Sequence, residues 1–263
     1  MKKRVISAII IAIITIPVLY FGGIYYKFGI SLLTVLGYTE FLMTRDKTHK
    51  MPDLMKIIAY LSLFILFLNF IINKETFSID FRYIFVSILL FLVPIILYHD
   101  DNLYNTDDAF YLIGGTIFLS CAFGSLYYIR GDGIEPILYL LTITIASDTF
   151  AYFTGSLIGK HKMIPSISPK KTWEGMIGGT VMSVALGTIF YMNFMNETKS
   201  LVMVILITLF LSIISQFGDL IFSAVKRHAK IKDFSNIIPG HGGILDRLDS
   251  LILIILAYML VIL

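Results

Sequence analysis

The residues best equipped for chemistry lie near the C-terminal end, where KRHAKIKDFSNIIPGHGGILDRLDS (Lys226 to Ser250) sets basic side chains, a Pro-Gly-His-Gly-Gly turn and aspartates between two apolar runs. Asp219, Ser223 and Lys226 stand at i, i+4 and i+7 on the first run, so a helix presents them on one face. Asp246 and Asp249 open the second run at i, i+3 and share a face too. The turn between the runs brings these three carboxylates toward one another. An ionised aspartate inside a membrane span costs at least ~2.5–3.5 kcal/mol, so such groups are normally partnered. Two partnerships suit them: ion pairs with Lys226 and Arg247, or a divalent cation. Mg2+ takes oxygen ligands and keeps water or phosphate oxygens in its shell, so carboxylates beside a basic loop would be built to hold phosphates.

Gly240, Gly242 and Gly243 surround His241 immediately before the second run. Glycines let backbone amides approach an anion closely, and a helix N-terminus adds unpaired N–H groups and the positive end of its dipole. A plain tight turn with an exposed histidine is the alternative, disfavoured by the basic residues upstream and DRLD downstream. A second cluster, SPKKTWEG (Ser168 to Gly175), sets Lys170, Lys171, a hydroxyl and Trp173 at a membrane boundary. Taken alone, the lysines read as ordinary cytoplasmic-side charges and Trp173 as an interfacial anchor; opposite the 226–243 loop, the lysines could clamp a second anion. Asp148, Tyr152 and Gly155 at i, i+4 and i+7 add another costly intramembrane acid. GSLIGKH (Gly155 to His161) imitates a phosphate-binding loop, but the glycine spacing is one residue short and His follows the lysine where Ser or Thr belongs.

The elements that must position these groups follow from composition. Of 263 residues, 57% are apolar and 15% charged, and several apolar runs approach the ~20 residues that cross a bilayer. Continuous runs of that length satisfy their own backbone hydrogen bonds as helices, whereas barrel strands would alternate over ~10 residues. The reading is an all-α, polytopic integral membrane helical bundle of about nine transmembrane helices: 5–22, 24–43, 55–73, 79–98, 110–129, 134–157, 174–195, 201–225 and 244–263. The basic start MKKR followed by an apolar run imitates a signal peptide without its cleavage site, which points to an uncleaved first span. Placing the N-terminus inside puts fifteen basic residues on the cytoplasmic side, including Lys2, Lys3, Arg4, Arg45 and Lys56. Only Lys27, Lys74, Arg82, Arg130 and Lys199 fall opposite, with Arg247 inside the last helix. That bias predicts N-in and C-out. Loops 158–173 and 226–243 then share the face where cytosolic nucleotides are available. Residues 1–109 are read as N-terminal helices and 110–263 as the catalytic bundle.

Four further features exclude rather than assign. Cys121 is the only cysteine, which rules out an intrachain disulfide, and a net charge of +3 is too small to imply a nucleic-acid partner. The loop HDDNLYNTDD (His99 to Asp108) is acidic and reads as solvated in preference to a metal site. Gly179, Ser183 and Gly187 recur at four-residue spacing, a pattern for close helix packing.

The run from Ser223 through Val225-Lys226-Arg227, Lys232-Asp233, Ser235, Ile238-Pro239 and His241-Gly242-Gly243-Ile244 to Asp246-Arg247-Leu248-Asp249 resembles the signature of the phosphatidate cytidylyltransferases, or CDP-diacylglycerol synthases. DTFAYFTG (148–155) and SPKKTWEG are similar to further blocks of that family. The resemblance covers at least the C-terminal half. It implies transfer of a cytidylyl group from CTP to phosphatidic acid with Mg2+ required, a second cation being left open, in a homodimer of a bacterial-type inner membrane with its site facing the cytoplasm. With the physics above, it implies metal binding by Asp219, Asp246, Asp249 and Ser223. Lys226, Arg227 and Lys232 would hold triphosphate and leaving pyrophosphate, assisted by the Gly242 and Gly243 amides. Lys170 and Lys171, with Ser168, Arg247 and Asp148 nearby, would receive the lipid phosphate, and His241 would donate to a phosphate oxygen.

Two rivals are weaker. A secondary transporter would bind coupling ions near the midplane at broken helices, whereas these acids lie at helix ends and no inverted repeat is visible. The CDP-alcohol phosphotransferases resemble DGxxAR followed by GxxxDxxxD, which DRLDS does not supply, since Ser250 stands at the glycine position.

Overall fold

The computed structural model describes residues 2–72, 80–195 and 199–262, without the side chains of residues 2–5 and 8. Lys74 and the side chains of Lys2, Lys3 and Arg4, which enter the charge bias, lie outside that description. The chain separates into two compact units, Met1–Gly131 with Asp233–Asp246, and Asp132–Lys232 with Arg247–Leu263.

The first unit is built from α1 (Lys2–Phe21), α2 (Gly23–Asp46), α3 (Asp53–Ile72), α4 (Phe81–Tyr98) and α5 (Thr106–Gly131). Gly22, at φ 62°, makes the break between α1 and α2 in a backbone region that a side chain would strain. α5 packs against α2, α3 and α4, and tyrosines pin it there. Tyr38 Oη meets Thr116 Oγ1 at 2.5 Å, Tyr111 donates to the Phe41 carbonyl at 2.8 Å, and Tyr26 donates to the Leu126 carbonyl at 2.8 Å. Each hydroxyl finds an acceptor where water is absent, as burial of a polar tip requires. Phe41 stacks on Tyr111 with centroids 4.1 Å apart and lies against Gly115, where any side chain would overlap its ring.

The acidic loop before α5 departs from the solvated reading. Asp108 is fully buried and accepts from Arg45 Nε at 2.6 Å and from the Asn105 amide at 3.1 Å, with His49 Nδ1 at 2.8 Å. A buried carboxylate is tolerated only with such partners, and two of them, Arg45 at the end of α2 and His49 just beyond it, come from some 60 residues earlier in the chain. His99 to Leu103, with Thr106 and Asp107, keep the exposed character expected of the loop.

The second unit comprises α6 (Glu135–Ile158), β1 (Lys162–Ile164), β2 (Ser168–Thr172), α7 (Trp173–Phe194), α8 (Leu201–His228) and most of α9 (Leu245–Ile262). The boundary between units falls inside the first turn of α9. Small residues seat α7 between its neighbours. A Cβ at Gly179 would stand 2.6 Å from the Ser147 carbonyl oxygen of α6, and one at Gly187 would stand 2.7 Å from Thr208 Cγ2 of α8. Between them Ser183 and Ser212 share a 2.5 Å hydrogen bond. Helices in lipid have no hydrophobic drive to associate, so close backbone approach and interhelical hydrogen bonds do this work. The four-residue stripe is therefore a packing device, as its spacing predicts.

Nine helices stand among the described residues, close to the nine apolar runs, and six of them, α3 to α8, are long and apolar enough to cross a membrane. The protein is an all-α membrane protein with one small departure: β1 and β2 form an antiparallel pair inside what the sequence reads as a loop. The line between residues 109 and 110 falls in the first turn of α5, whereas the compact units part at 131/132.

Candidate active site

In the second unit, α6, the β1–β2 hairpin, α7 and α8 enclose a cavity of about 420 Å3. Asp148 and Tyr152 face it from α6, Lys162, Lys170 and Lys171 from the hairpin, and Gln216 and Asp219 from α8. The hairpin hangs rigidly from α7. Thr172 caps that helix by accepting the Gly175 amide at 3.1 Å, and Trp173 N–H donates to the His161 carbonyl at 3.0 Å. Gly155 of α6 lies against Gly175 of α7; a Cβ at Gly175 would stand 3.3 Å from Gly155 Cα, so the cavity wall closes only with glycine at these places. Trp173 itself is half exposed, at 50%.

The cavity floor is an ion pair. Lys171 Nζ lies 2.7 Å from Asp219 Oδ2 and donates to the Gln216 carbonyl at 3.2 Å, while Ser223 Oγ donates to Asp219 Oδ1 at 3.3 Å. Gln216 is fixed in turn by its own amide, which donates to Thr180 Oγ1 at 2.8 Å. Asp148 is within electrostatic reach of Asp219, Lys171 and Arg247, and Asp249 of Asp219, Lys226 and Asp148. Three carboxylates and three cations thus share one end of the bundle. Lys226 is buried at the end of α8, while Arg227 is exposed and reaches the Ile231 carbonyl at 3.0 Å and the Ile167 carbonyl at 3.4 Å. Lys170 and Lys232 are exposed, and Ser168 opens β2 opposite Ile164. The partner the structure gives Asp219 is Lys171, from a different loop than the Lys226 and Arg247 that sequence proximity suggests.

The glycine-rich turn belongs to the first unit and is organised differently. Asp246 Oδ2 accepts from the Phe234 amide at 2.8 Å and the Gly243 amide at 2.9 Å. Glu40 of α2, with no exposed surface, accepts from Ser235 Oγ at 2.6 Å and from the amides of Ile244 and Leu245, both at 2.8 Å. Charge-assisted bonds of this kind contribute roughly 1.5–3 kcal/mol each. The N-terminal amides of α9, together with that of Gly243, are thereby filled by the chain's own carboxylates, where the sequence suggests a cradle for phosphate. Gly242, at φ 85°, sits so close that a Cβ there would stand 2.8 Å from Asp246 Oδ2. His241 Nδ1 lies 2.7 Å from Ser7 Oγ, which also lies 3.1 Å from the Pro239 carbonyl oxygen.

Among the described residues, no group of three or more His, Cys, Asp or Glu side chains stands close enough to hold one metal ion. Within the second unit the oxygen donors are of the kind a hard cation takes: Asp219 with its Ser223 hydroxyl, and Asp249 within electrostatic reach of Asp219. Asp219 would have to exchange Lys171 for the ion. Sequence reasoning misses Glu40 and Gln216. The membrane cost that singles out Asp148 and Asp219 applies equally to Glu40, the sole acid of the apolar run 24–43, and that signal could have found it. Gln216 carries no such signal.

Comparison with known proteins agrees with this chemistry. A family model described as the cytidylyltransferase family matches residues 2–263. The phosphatidate cytidylyltransferases of Staphylococcus haemolyticus and Staphylococcus saprophyticus are each 34% identical to the chain over 256 residues, covering 97% of it and 96% of the relative. That of Staphylococcus aureus is 34% identical over 258 residues, with the same coverage.

Proposed function

The chain belongs to the cytidylyltransferase family, and on that footing we propose that it transfers a cytidylyl group from CTP to phosphatidic acid, giving CDP-diacylglycerol and pyrophosphate. The observation that carries this reading is the cavity in which Lys162, Lys170 and Lys171 meet Asp148 and Asp219, within a bundle of membrane-length helices. A lipid phosphate can enter such a site while its acyl chains stay in the bilayer.

The reaction joins a phosphate oxygen of the lipid to the α-phosphorus of CTP and breaks the bond from that phosphorus to the α–β bridging oxygen, whose electrons leave with pyrophosphate. A phosphate monoester has its second pKa near ~6, so the nucleophile is already largely deprotonated at neutral pH and no general base is required. Bringing two anions together is the main obstacle, and positioning with charge neutralisation is the remedy. Bound Mg2+ would supply part of that neutralisation, with Asp219, Asp246, Asp249 and Ser223 as the oxygen ligands the chain offers; a second cation remains compatible with this donor set. Lys171 leaves Asp219 as it takes the lipid phosphate, with Lys170, Ser168, Arg247 and Asp148 shaping the approach. Lys226, Arg227 and Lys232 take the triphosphate and stabilise the departing pyrophosphate. His241 would offer a ring N–H donor to a phosphate oxygen. Gly242 and Gly243 serve chiefly to let Asp246 and Glu40 close on the turn.

The same reading sets the N-terminus inside and the C-terminus out across a bacterial inner membrane, on the basic-residue bias, with loops 158–173 and 226–243 cytoplasmic. It takes 110–263 as the catalytic region and a homodimer as the assembly. Purified protein in detergent with phosphatidic acid, radiolabelled CTP and Mg2+ is expected to yield a CDP-lipid extractable into organic solvent. Asp219→Asn and Asp246→Asn are expected to yield almost none. Near-normal turnover in both folded variants would overturn the metal-binding roles, and no CDP-lipid from the intact protein would overturn the reaction.

A further inference from the structure

Glu40 lies about 200 residues before the glycine-rich turn, yet its carboxylate is bonded to both ends of it. Its two oxygens take three donors, Ser235 Oγ, Ile244 N and Leu245 N, all within 2.8 Å. Asp246 takes the donors interleaved with these, Phe234 N and Gly243 N. Along the chain the order is 234 to Asp246, 235 to Glu40, 243 to Asp246, then 244 and 245 to Glu40. Both ends of the turn are therefore held by both carboxylates, and neither can shift without disturbing donors adjacent to those of the other. Gly243 is packed directly against the Glu40 carboxylate, in contact with both of its oxygens. Below, Gly37, one turn earlier on α2, lies against Leu245, where a Cβ would stand 3.3 Å from Leu245 Cδ2.

We propose that Glu40 is a positioning residue for the cytidylyl transfer: it fixes the turn 233–245 and the first turn of α9, and through them the carboxylate of Asp246, and it occupies the helix amides that would otherwise attract the triphosphate. The second effect follows from the first. Unpaired amides at a helix N-terminus attract anions; with a carboxylate already on them, they are closed to an incoming phosphate. Glu40 touches neither substrate in this account. Its role depends on the reaction proposed above, but its grip on the turn does not.

The test uses the full-length protein in detergent with Glu40→Gln, which keeps the shape but turns an N–H toward donors, and Glu40→Asp, which keeps the charge but shortens the reach. Hydrogen–deuterium exchange over 233–246 and steady-state kinetics in CTP, phosphatidic acid and Mg2+ are measured on each. For Glu40→Gln the expected result is faster exchange confined to 233–246 and a fall in kcat by roughly 10–100-fold, the usual effect of removing a group that orients a ligand. The Mg2+ concentration for half-maximal rate rises, and KM for phosphatidic acid is unchanged. Glu40→Asp recovers part of kcat. A purely structural role would loosen exchange throughout α2 and α5 and leave kcat of the folded fraction intact, which would overturn the proposal; so would unaltered exchange over 233–246, or failure of both variants to fold. If the wild-type protein makes no CDP-lipid, the proposed reaction fails, while the exchange arm still decides whether Glu40 holds the turn.

Discussion

The turn 233–245 and the β1–β2 hairpin are both connections that face carboxylates, and they are built on opposite plans. In the turn, Asp246 and Glu40 are saturated by backbone amides and a hydroxyl, and Glu40 has no exposed surface. In the hairpin, Lys171 and Asp219 satisfy mainly each other, with about a quarter to a third of each side chain exposed. A carboxylate bonded to amides from its own chain is organised before any ligand arrives. A carboxylate paired with a lysine at the edge of a cavity can change partners at little cost, because a partly exposed pair contributes only ~0–1 kcal/mol. The first region is thus fixed by its own chain and the second is open to exchange.

The largest effect should come from the exchangeable side. Asp219→Asn removes the charge that Lys171 and an incoming cation share, and turnover in the radiolabelled CTP assay should drop by on the order of 10²–10³, the scale of losing one electrostatic contact to a transition state. Retained turnover would mean that the ion pair is only structural. The frame comes next. Gly243→Ala drives a methyl group into the Glu40 carboxylate, and the turn must open, lowering kcat by roughly 10-fold or more if it orients Asp246; full activity with normal thermal unfolding would refute a rigid frame. Away from both regions, Gly179→Ala forces α7 from the Ser147 carbonyl of α6. Overpacking of this kind costs about 1–3 kcal/mol, read as a lower Tm in detergent. Smallest of all, Lys171→Gln should raise KM for phosphatidic acid by roughly tenfold, about 1.4 kcal/mol, with a weaker effect at high salt because the site is screened. A change in kcat alone would remove Lys171 from lipid binding.

Much of the architecture was legible residue by residue. Apolar runs gave the helices to within a few positions, since α2 through α9 begin or end close to the polar and glycine breaks that bound them. The Gly179, Ser183, Gly187 spacing named its own packing face. The hairpin was hidden because Lys162–Thr172 is short and polar, with prolines at 165 and 169, and shows no alternating apolar pattern. Asp108 looked solvated because its partners Arg45 and His49 lie at and just beyond the end of α2, some 60 residues away in the chain. The α9 amides looked available to phosphate for the same reason: their occupant comes from α2.

From its sequence alone this protein was committed to membrane-length helices, to acids at helix ends and to basic connections between them, because hydrocarbon thickness and the cost of burying charge act on each segment separately. Which acid is locked and which can exchange was decided only by the tertiary structure. Hydrogen-bond partners 195 to 205 residues apart, as Glu40 is from Ser235 and Leu245, are chosen by where helices pack, and no local pattern in the chain records that choice.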